Sequence, residues 1–140
     1  MTSCQSSVVF DEVVELGETG WHMDHKAVFQ VDVIDTSRVL DVGMTFRHTD
    51  DYPYSNLWLF VDMQSENGLS IKDTLEFFLS ETNGRWLGNK KGDGYEVSAL
   101  YKHAVKMSHP GSYRFEISQG MRRDVLPHIT SVEFWIQNSN

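Results

Sequence analysis

The sequence predicts an all-β protein, an antiparallel β-sandwich of jelly-roll-like form with about eight strands. Apolar residues recur with a period of two over most of the chain, as they do on strands with one covered face. Turn-forming clusters interrupt these runs at the spacing of short strands: Gly17–Gly20, Asp35–Ser37, Asp50–Pro53, Glu66–Gly68, Asn83-Gly84, Gly92–Gly94 and Pro110-Gly111. The 140 residues suffice for one core and not for a second. Residues 8–140 therefore read as a single sandwich domain, and residues 1–7 as its tether.

Taken in order, Val8 to Leu16 forms the first strand. Phe29, Val31 and Val33 alternate with Gln30, Asp32 and Ile34, and Leu40, Val42, Met44 and Phe46 with Asp41, Gly43, Thr45 and Arg47, so both stretches are half-buried strands. Leu57, Leu59, Val61 and Met63 oppose Asn56, Trp58, Phe60 and Asp62. That strand is apolar on both sides for most of its length, which predicts a central or covered position. Leu69, Ile71, Leu75, Phe77 and Leu79 lean towards period two, although Asp73 breaks the face. Glu96 to Met107 fits either a helical or a strand pattern, and strand is favoured because a lone helix between hairpins needs its own cover. Tyr113, Phe115 and Ile117, and finally Val132, Phe134 and Ile136, mark two more amphipathic strands. Between them, Gly120 to Ile129 contains Pro127 and reads as a loop or a single helical turn.

Twelve Lys and Arg against twenty Asp and Glu give a net charge of −8, which repels phosphate backbones and argues against nucleic acid as a partner. With 40% hydrophobic and 12% aromatic residues, the composition is that of a folding chain and not of a disordered one. No apolar run is longer than the five residues Leu57 to Val61, far short of the roughly twenty of a spanning helix. The single cysteine, Cys4, can form no internal disulfide. It is either an incidental reduced thiol or, preceded by the small residues Thr2 and Ser3, the acceptor of a lipid.

Catalytic and metal chemistry find little support. His22 and His25 flank Asp24, but on a strand positions 22 and 24 share a face while 25 points away, a poor ligand set. Asp50, Asp51 and Asp93 lie in turns without the EF-hand spacing. No Gly-x-Ser-x-Gly, Walker, His-Glu-x-x-His or Rossmann pattern occurs. The expectation is no enzyme, no metal and no cofactor. Aromatic residues are the richer signal. Tyr52, Tyr54, Trp58, Trp86 and Trp135 either pack inside or stand on a sheet face, where rings stack on sugars or on a protein partner.

Three stretches go beyond composition: DYPYSNLWLFV (Asp51 to Val61), DTLEFFLSETNGRWLG (Asp73 to Gly88) and PGSYRFEISQGMRRDVLPHI (Pro110 to Ile129). In order and spacing they resemble the gliding-motility lipoprotein GldH family of the Bacteroidota, and Trp21 with Phe29 to Asp35 is similar to the family's opening. The resemblance covers nearly the whole chain. Its most specific pieces are Tyr52 to Trp58, Gly84 to Gly88 and Gln119 to Arg122. Pro127-His128 departs from the pattern, which has a glycine before the isoleucine, and this bears on the geometry of that loop.

The resemblance implies an envelope lipoprotein without catalytic residues. Its membrane attachment would be a lipid anchor on Cys4, and its partners would be envelope proteins of the gliding and type IX secretion machinery. Two acyl chains on one cysteine anchor a domain stably, whereas one chain is marginal. Surface-exported lipoproteins of these bacteria commonly carry acidic residues after the cysteine. Gln5-Ser6-Ser7 has none, which points to the periplasmic face.

The motif residues also have local roles. Pro53 presets the turn before the Leu57 strand, and Asn83-Gly84 signals a hairpin. Arg85, Arg122 and Arg123 either pair with Asp51 or Asp124 or mark a docking patch. A lipid at Cys4 holds the Val8 end of the sandwich near the membrane, so Asp51 to Asn56 and Gly120 to Asp124 are expected together at the far end. The candidate partner-docking residues are Tyr52, Tyr54, Trp58, Trp86, Met121, Arg122 and Arg123. The alternative function is a carbohydrate-binding module, which requires at least two coplanar exposed rings among Tyr52, Tyr54, Trp58, Trp86 and Trp135.

Overall fold

The structure is a computed structural model and describes residues 8–140; Cys4 and the rest of the 1–7 tether lie outside the described residues. The described residues form eleven strands: β1 (Val8–Glu15), β2 (Trp21–His22), β3 (Ala27–Val33), β4 (Leu40–Thr49), β5 (Asn56–Ser65), β6 (Ser70–Phe78), β7 (Asn89–Lys91), β8 (Gly94–Val105), β9 (Gly111–Gln119), β10 (Val125–Leu126) and β11 (Ile129–Asn138). Eight are long and three have two or three residues, and no helix occurs among the described residues.

Two antiparallel sheets, β1-β11-β4-β8-β7 and β3-β9-β5-β6, form the sandwich, and β10 pairs separately with β2. Counting the long strands alone, the first pairs with the eighth, the second with the seventh, the third with the sixth and the fourth with the fifth. Among the connections between long strands, only β5 to β6 stays within one sheet. Every other connection crosses the core, so almost every ladder joins residues far apart in sequence.

The period-two pattern becomes burial directly. Ala27, Phe29 and Val31 of β3, Leu57, Leu59 and Val61 of β5, and Tyr113, Phe115 and Ile117 of β9 turn inward from one sheet. Leu40, Val42, Met44 and Phe46 of β4 meet them from the other, with Val132, Phe134 and Ile136 of β11. Phe134 is the hub: its ring lies 5.3 Å from Phe29, 4.7 Å from Phe115 and 6.1 Å edge-on from Phe10.

The segment Glu96 to Met107 is strand, as favoured, and forms most of β8. Asp73 interrupts the face of β6 for a visible reason. Its carboxylate accepts the Tyr101 hydroxyl and lies 3.7 Å from the Lys102 ammonium, tying the edge of one sheet to β8 of the other.

Strand β5 is central, between β9 and β6, which accounts for its apolar character, although its outer face stays open: Trp58 and Phe60 are 38% and 49% exposed. One reading needs correction. The segment Gly120 to Ile129 is not wholly loop, because Val125 and Leu126 pair with His22 and Trp21. Two-residue ladders so distant in sequence leave no local pattern to read.

Register fixes what lies at each end. Val8 pairs with Gln137, Gln137 with Asp41, Leu40 with Val105, Val33 with Gly111 and Gln64 with Ser70. The start of β1 therefore shares one end with the connections 34–39, 66–69 and 106–110. At the opposite end Leu16 N–H donates to the Thr130 carbonyl, Leu79 N–H to Ser55, Thr49 N–H to His128 and Gly120 N–H to Trp58. That end gathers 16–26, 50–55, 79–88 and 120–128.

Candidate functional site

Loops 50–55 and 120–124 meet at the end opposite Val8, and the sequence around each shows how it is held. Inward register along β9 continues from Ile117 to Gln119, whose amide is 3% exposed and must be satisfied. Its Nε2 donates to the carbonyls of Arg123 (2.7 Å) and Trp21 (3.3 Å), and its Oε1 accepts the Met121 N–H at 2.8 Å. This clamp holds the loop, with Arg122 at φ 60°, a left-handed conformation rare for a side-chain-bearing residue. Gln119 is the positioning residue that sequence reasoning passed over. Its signal was present, as a polar amide on the buried face of an otherwise apolar strand.

On the other loop, Tyr52 is 4% exposed and donates its hydroxyl to the Asn56 carbonyl at 2.7 Å, while burial pushes its phenol above the ordinary tyrosine range. It cannot present its ring to a partner and instead braces the turn. Tyr54 packs edge-on against it at 5.8 Å and is half-buried. The two loops then join: Arg123 Nη1 donates to the Tyr54 hydroxyl at 3.2 Å, with the guanidinium 6.0 Å from the ring centre. The Trp58 N–H points at Met121 Sδ (3.2 Å) and the Trp58 carbonyl accepts the Gly120 N–H (2.7 Å).

Beside this junction lies a groove of ≈ 440 Å³ lined by Trp58, Phe60, Thr74, Gly120, Met121 and Arg122. Of the seven docking candidates, Trp58, Met121 and Arg122 thus line the groove, and Tyr54 and Arg123 lock its flank. Tyr52 lies beneath. Trp86 belongs elsewhere: it bridges Ser80 rather than forming part of a strand, and its ring lies 4.6 Å from His48 and 6.0 Å from Tyr95. His48 is buried there, with Nδ1 on the Thr49 carbonyl at 2.9 Å, and burial holds its pKa below the ordinary value.

The expected arginine pairings differ as well. Arg85 reaches Glu81 at 3.8 Å on the surface. Arg123 is held by Tyr54, and among the described residues Arg122 has no ion pair. Neither Asp51 nor Asp124 pairs with any of the three. The His22 to His25 segment is a turn closed by the Trp21 indole, which donates to the His25 carbonyl at 2.7 Å. Trp135 lies on the outer face of the other sheet and donates to Thr45 Oγ1 at 3.0 Å.

The departure at Pro127-His128 has a backbone consequence. His128 sits at φ 72°, where glycine is at ease, and Thr49 compensates by donating its N–H to the His128 carbonyl (3.0 Å) and bonding Nδ1 through its hydroxyl (2.8 Å).

The arrangement offers aromatic and thioether surface beside an exposed guanidinium, without a nucleophile held against a base. It can bind and orient. Among solved structures, a carbohydrate-binding module specific for non-crystalline cellulose aligns over 94% of this chain and 74% of its own at 8% identity and a TM-score of 0.44. An α-L-arabinofuranosidase aligns over 86% of this chain and 18% of its own at 10% identity and 0.41. Likeness at this level carries no functional argument.

Sequence relatives are far closer. The gliding motility lipoprotein GldH homolog of Christiangramia forsetii is 38% identical over 146 residues, covering 99% of this chain and 89% of that one. The gliding motility lipoprotein GldH of Flavobacterium johnsoniae is 31% identical over 145 residues, with the same coverage of 99% and 89%. The GldH lipoprotein family matches residues 8–136, from the first strand through nearly all of the last, and this chain belongs to it.

Proposed function

We propose that this protein is a non-enzymatic interaction domain of the cell envelope, anchored by lipid on Cys4 at the periplasmic face. Its groove docks a protein of the gliding and type IX secretion machinery. Family membership supports the anchor and the tie to gliding. One observation carries the docking site: two loops far apart in sequence are clamped by Gln119 and by the Arg123–Tyr54 bond, and they frame open aromatic surface with an ion-pair-free Arg122. This construction lies at the end opposite Val8, so an anchor before β1 leaves it free.

Arg122→Glu and Trp58→Ala test the groove. Both side chains are exposed, so melting temperatures stay near that of the parent protein while capture of envelope partners from the native membrane falls at least several-fold. Unchanged capture by both variants overturns the docking site. For the anchor, an alkyne fatty acid supplied to cells labels the parent protein and not Cys4→Ala. Label on both proteins, or on neither, ends that reading.

A second reading has one observation in its favour. The five aromatics named for a glycan platform do not supply the two exposed rings that it requires, since only Trp58 is openly exposed, but Phe60, two residues along β5, shares its face. Glycan binding would thus centre on Trp58 and Phe60. Calorimetric titration with envelope glycan fragments decides it: no heat with the parent protein removes the reading.

A further inference from the structure

The end of the sandwich that carries Val8 has its own apolar surface, which partner docking at the far end leaves unused. Ile34, in the β3–β4 connection, is 90% exposed, and Val8, Val9, Val39, Leu69 and Ile71 are exposed at the same end. They are not scattered. A groove of ≈ 320 Å³ runs past Val9, Ile34, Arg38 and Met107, and a second of ≈ 290 Å³ past Met107, Lys106, Leu69 and Ile71. Met107 lines both, so the apolar rim is continuous from β1 across the β8–β9 connection to the start of β6. Arg38 and Lys106 stand exposed on this rim; Arg38 lies 3.8 Å from the Asp35 carboxylate, which leaves Lys106, without an ion pair among the described residues, as the cation that can meet a headgroup phosphate.

We infer that this end is a membrane-contacting surface: the domain rests on the lipid headgroups with Ile34, Leu69 and Ile71 in the interface. The inference rests on the lipid-anchor reading of Cys4, and the chain geometry selects the occupant. Only four residue steps separate Cys4 from Val8, which spans at most about 14 Å. A lipid on Cys4 therefore keeps the Val8 end within reach of the bilayer at all times. Few apolar side chains then suffice for contact, because the anchor has already met the entropy of association. Resting on this end also fixes orientation, aiming the Trp58–Arg122 groove away from the membrane instead of letting it sweep freely.

The single thiol permits a test that does not depend on lipidation in cells. The full chain, isotopically labelled, is coupled through Cys4 to a maleimide-headgroup lipid in phosphatidylcholine nanodiscs carrying a gadolinium-chelate lipid. The expected result is strong paramagnetic broadening of amides in 34–39, 66–71 and 105–109, with 50–55 and 120–124 spared. Ile34→Asp with Leu69→Asp should weaken the broadening of 34–39 and 66–71 several-fold while leaving the melting temperature in place, since both side chains are exposed. Uniform broadening of all surface loops, or stronger broadening of 120–124, overturns the inference. So does broadening of 34–39 and 66–71 that is undiminished in the double variant. Failure of the fatty-acid labelling in cells would instead overturn the anchor reading, so the two failures are distinguishable.

Discussion

Trp135 and Trp58 stand at comparable places on the two sheets, each pointing outward from a strand paired on both sides, and they meet opposite fates. The Trp135 ring lies flat over Gly43 of the neighbouring β4. A Cβ built on Gly43 would fall 2.1 Å from its Cζ2, and its indole N–H is satisfied by Thr45. Trp58 has no such berth. The positions beside it are Glu76 on β6 and the Gly120–Met121 loop, and its ring stays 38% exposed with no acceptor for its indole among the described residues. One sheet has a glycine where the tryptophan must lie, and closes. The other keeps its tryptophan open, together with Phe60. Outward aromatics thus separate into a covered ring and an open ring by what the adjacent strand offers.

The sharpest way to break this comparison is at the glycines. Gly43→Ala drives a methyl into the Trp135 ring, which must leave its seat, and destabilises the domain by about 2 kcal/mol. Gly120→Ala meets only the exposed Phe60 ring, at 3.0 Å, and changes stability by no more than about 0.5 kcal/mol because that ring can swing aside. Urea denaturation of both variants measures the difference. Equal losses would show that Phe60 is as fixed as Trp135.

Removing the rings gives a smaller contrast in stability and a larger one in binding. Trp135→Ala strips packing from a half-buried ring and costs about 2 kcal/mol, whereas Trp58→Ala costs less than about 1 kcal/mol. Capture of envelope partners reverses the order, surviving in a folded Trp135→Ala protein and falling in Trp58→Ala.

The smallest effect is electrostatic and belongs to the closed face alone. Glu133, beside Trp135, has a pKa pushed up from 4.5 to about 7, first by burial and then by the Asp11 and Glu96 carboxylates. The folded state therefore holds its proton more tightly than the unfolded chain, and stability falls as pH rises from about 4.5 through about 7. Glu133→Gln removes this slope and raises the melting temperature at pH 8 relative to the parent, while leaving it little changed at pH 4. Its partial exposure keeps the gain to a few degrees or less. A melting temperature that rises with pH across that window in the parent and not in the variant would reverse the sign assigned here.

Much of the fold was legible because alternation is a local property. Phe29-x-Val31, Tyr113-x-Phe115-x-Ile117 and Phe134-x-Ile136 declare their buried faces in the sequence, since successive side chains of any strand point opposite ways. For β8 alternation fitted no better than a helical period, and the cover that a lone helix would need is what favoured strand. The candidate site was legible only in part. Loops 50–55 and 120–124 could be nominated from their Pro, Tyr, Met and Arg content, but nothing local showed that Tyr52 turns inward, that Trp86 joins His48, or that Arg123 finds Tyr54.

By itself, then, the sequence determined the all-β class, the inward register of the long strands, the turns between them and, through its motifs, the family. Tertiary structure alone decided which outward aromatic is covered, which loops meet, and that Gln119 clamps them. The division has a physical cause. Strand alternation and turn chemistry are settled within a few residues, whereas coverage of a face depends on the neighbour across the ladder. In a sandwich whose strands pair first with eighth and second with seventh, that neighbour is a hundred residues or so away.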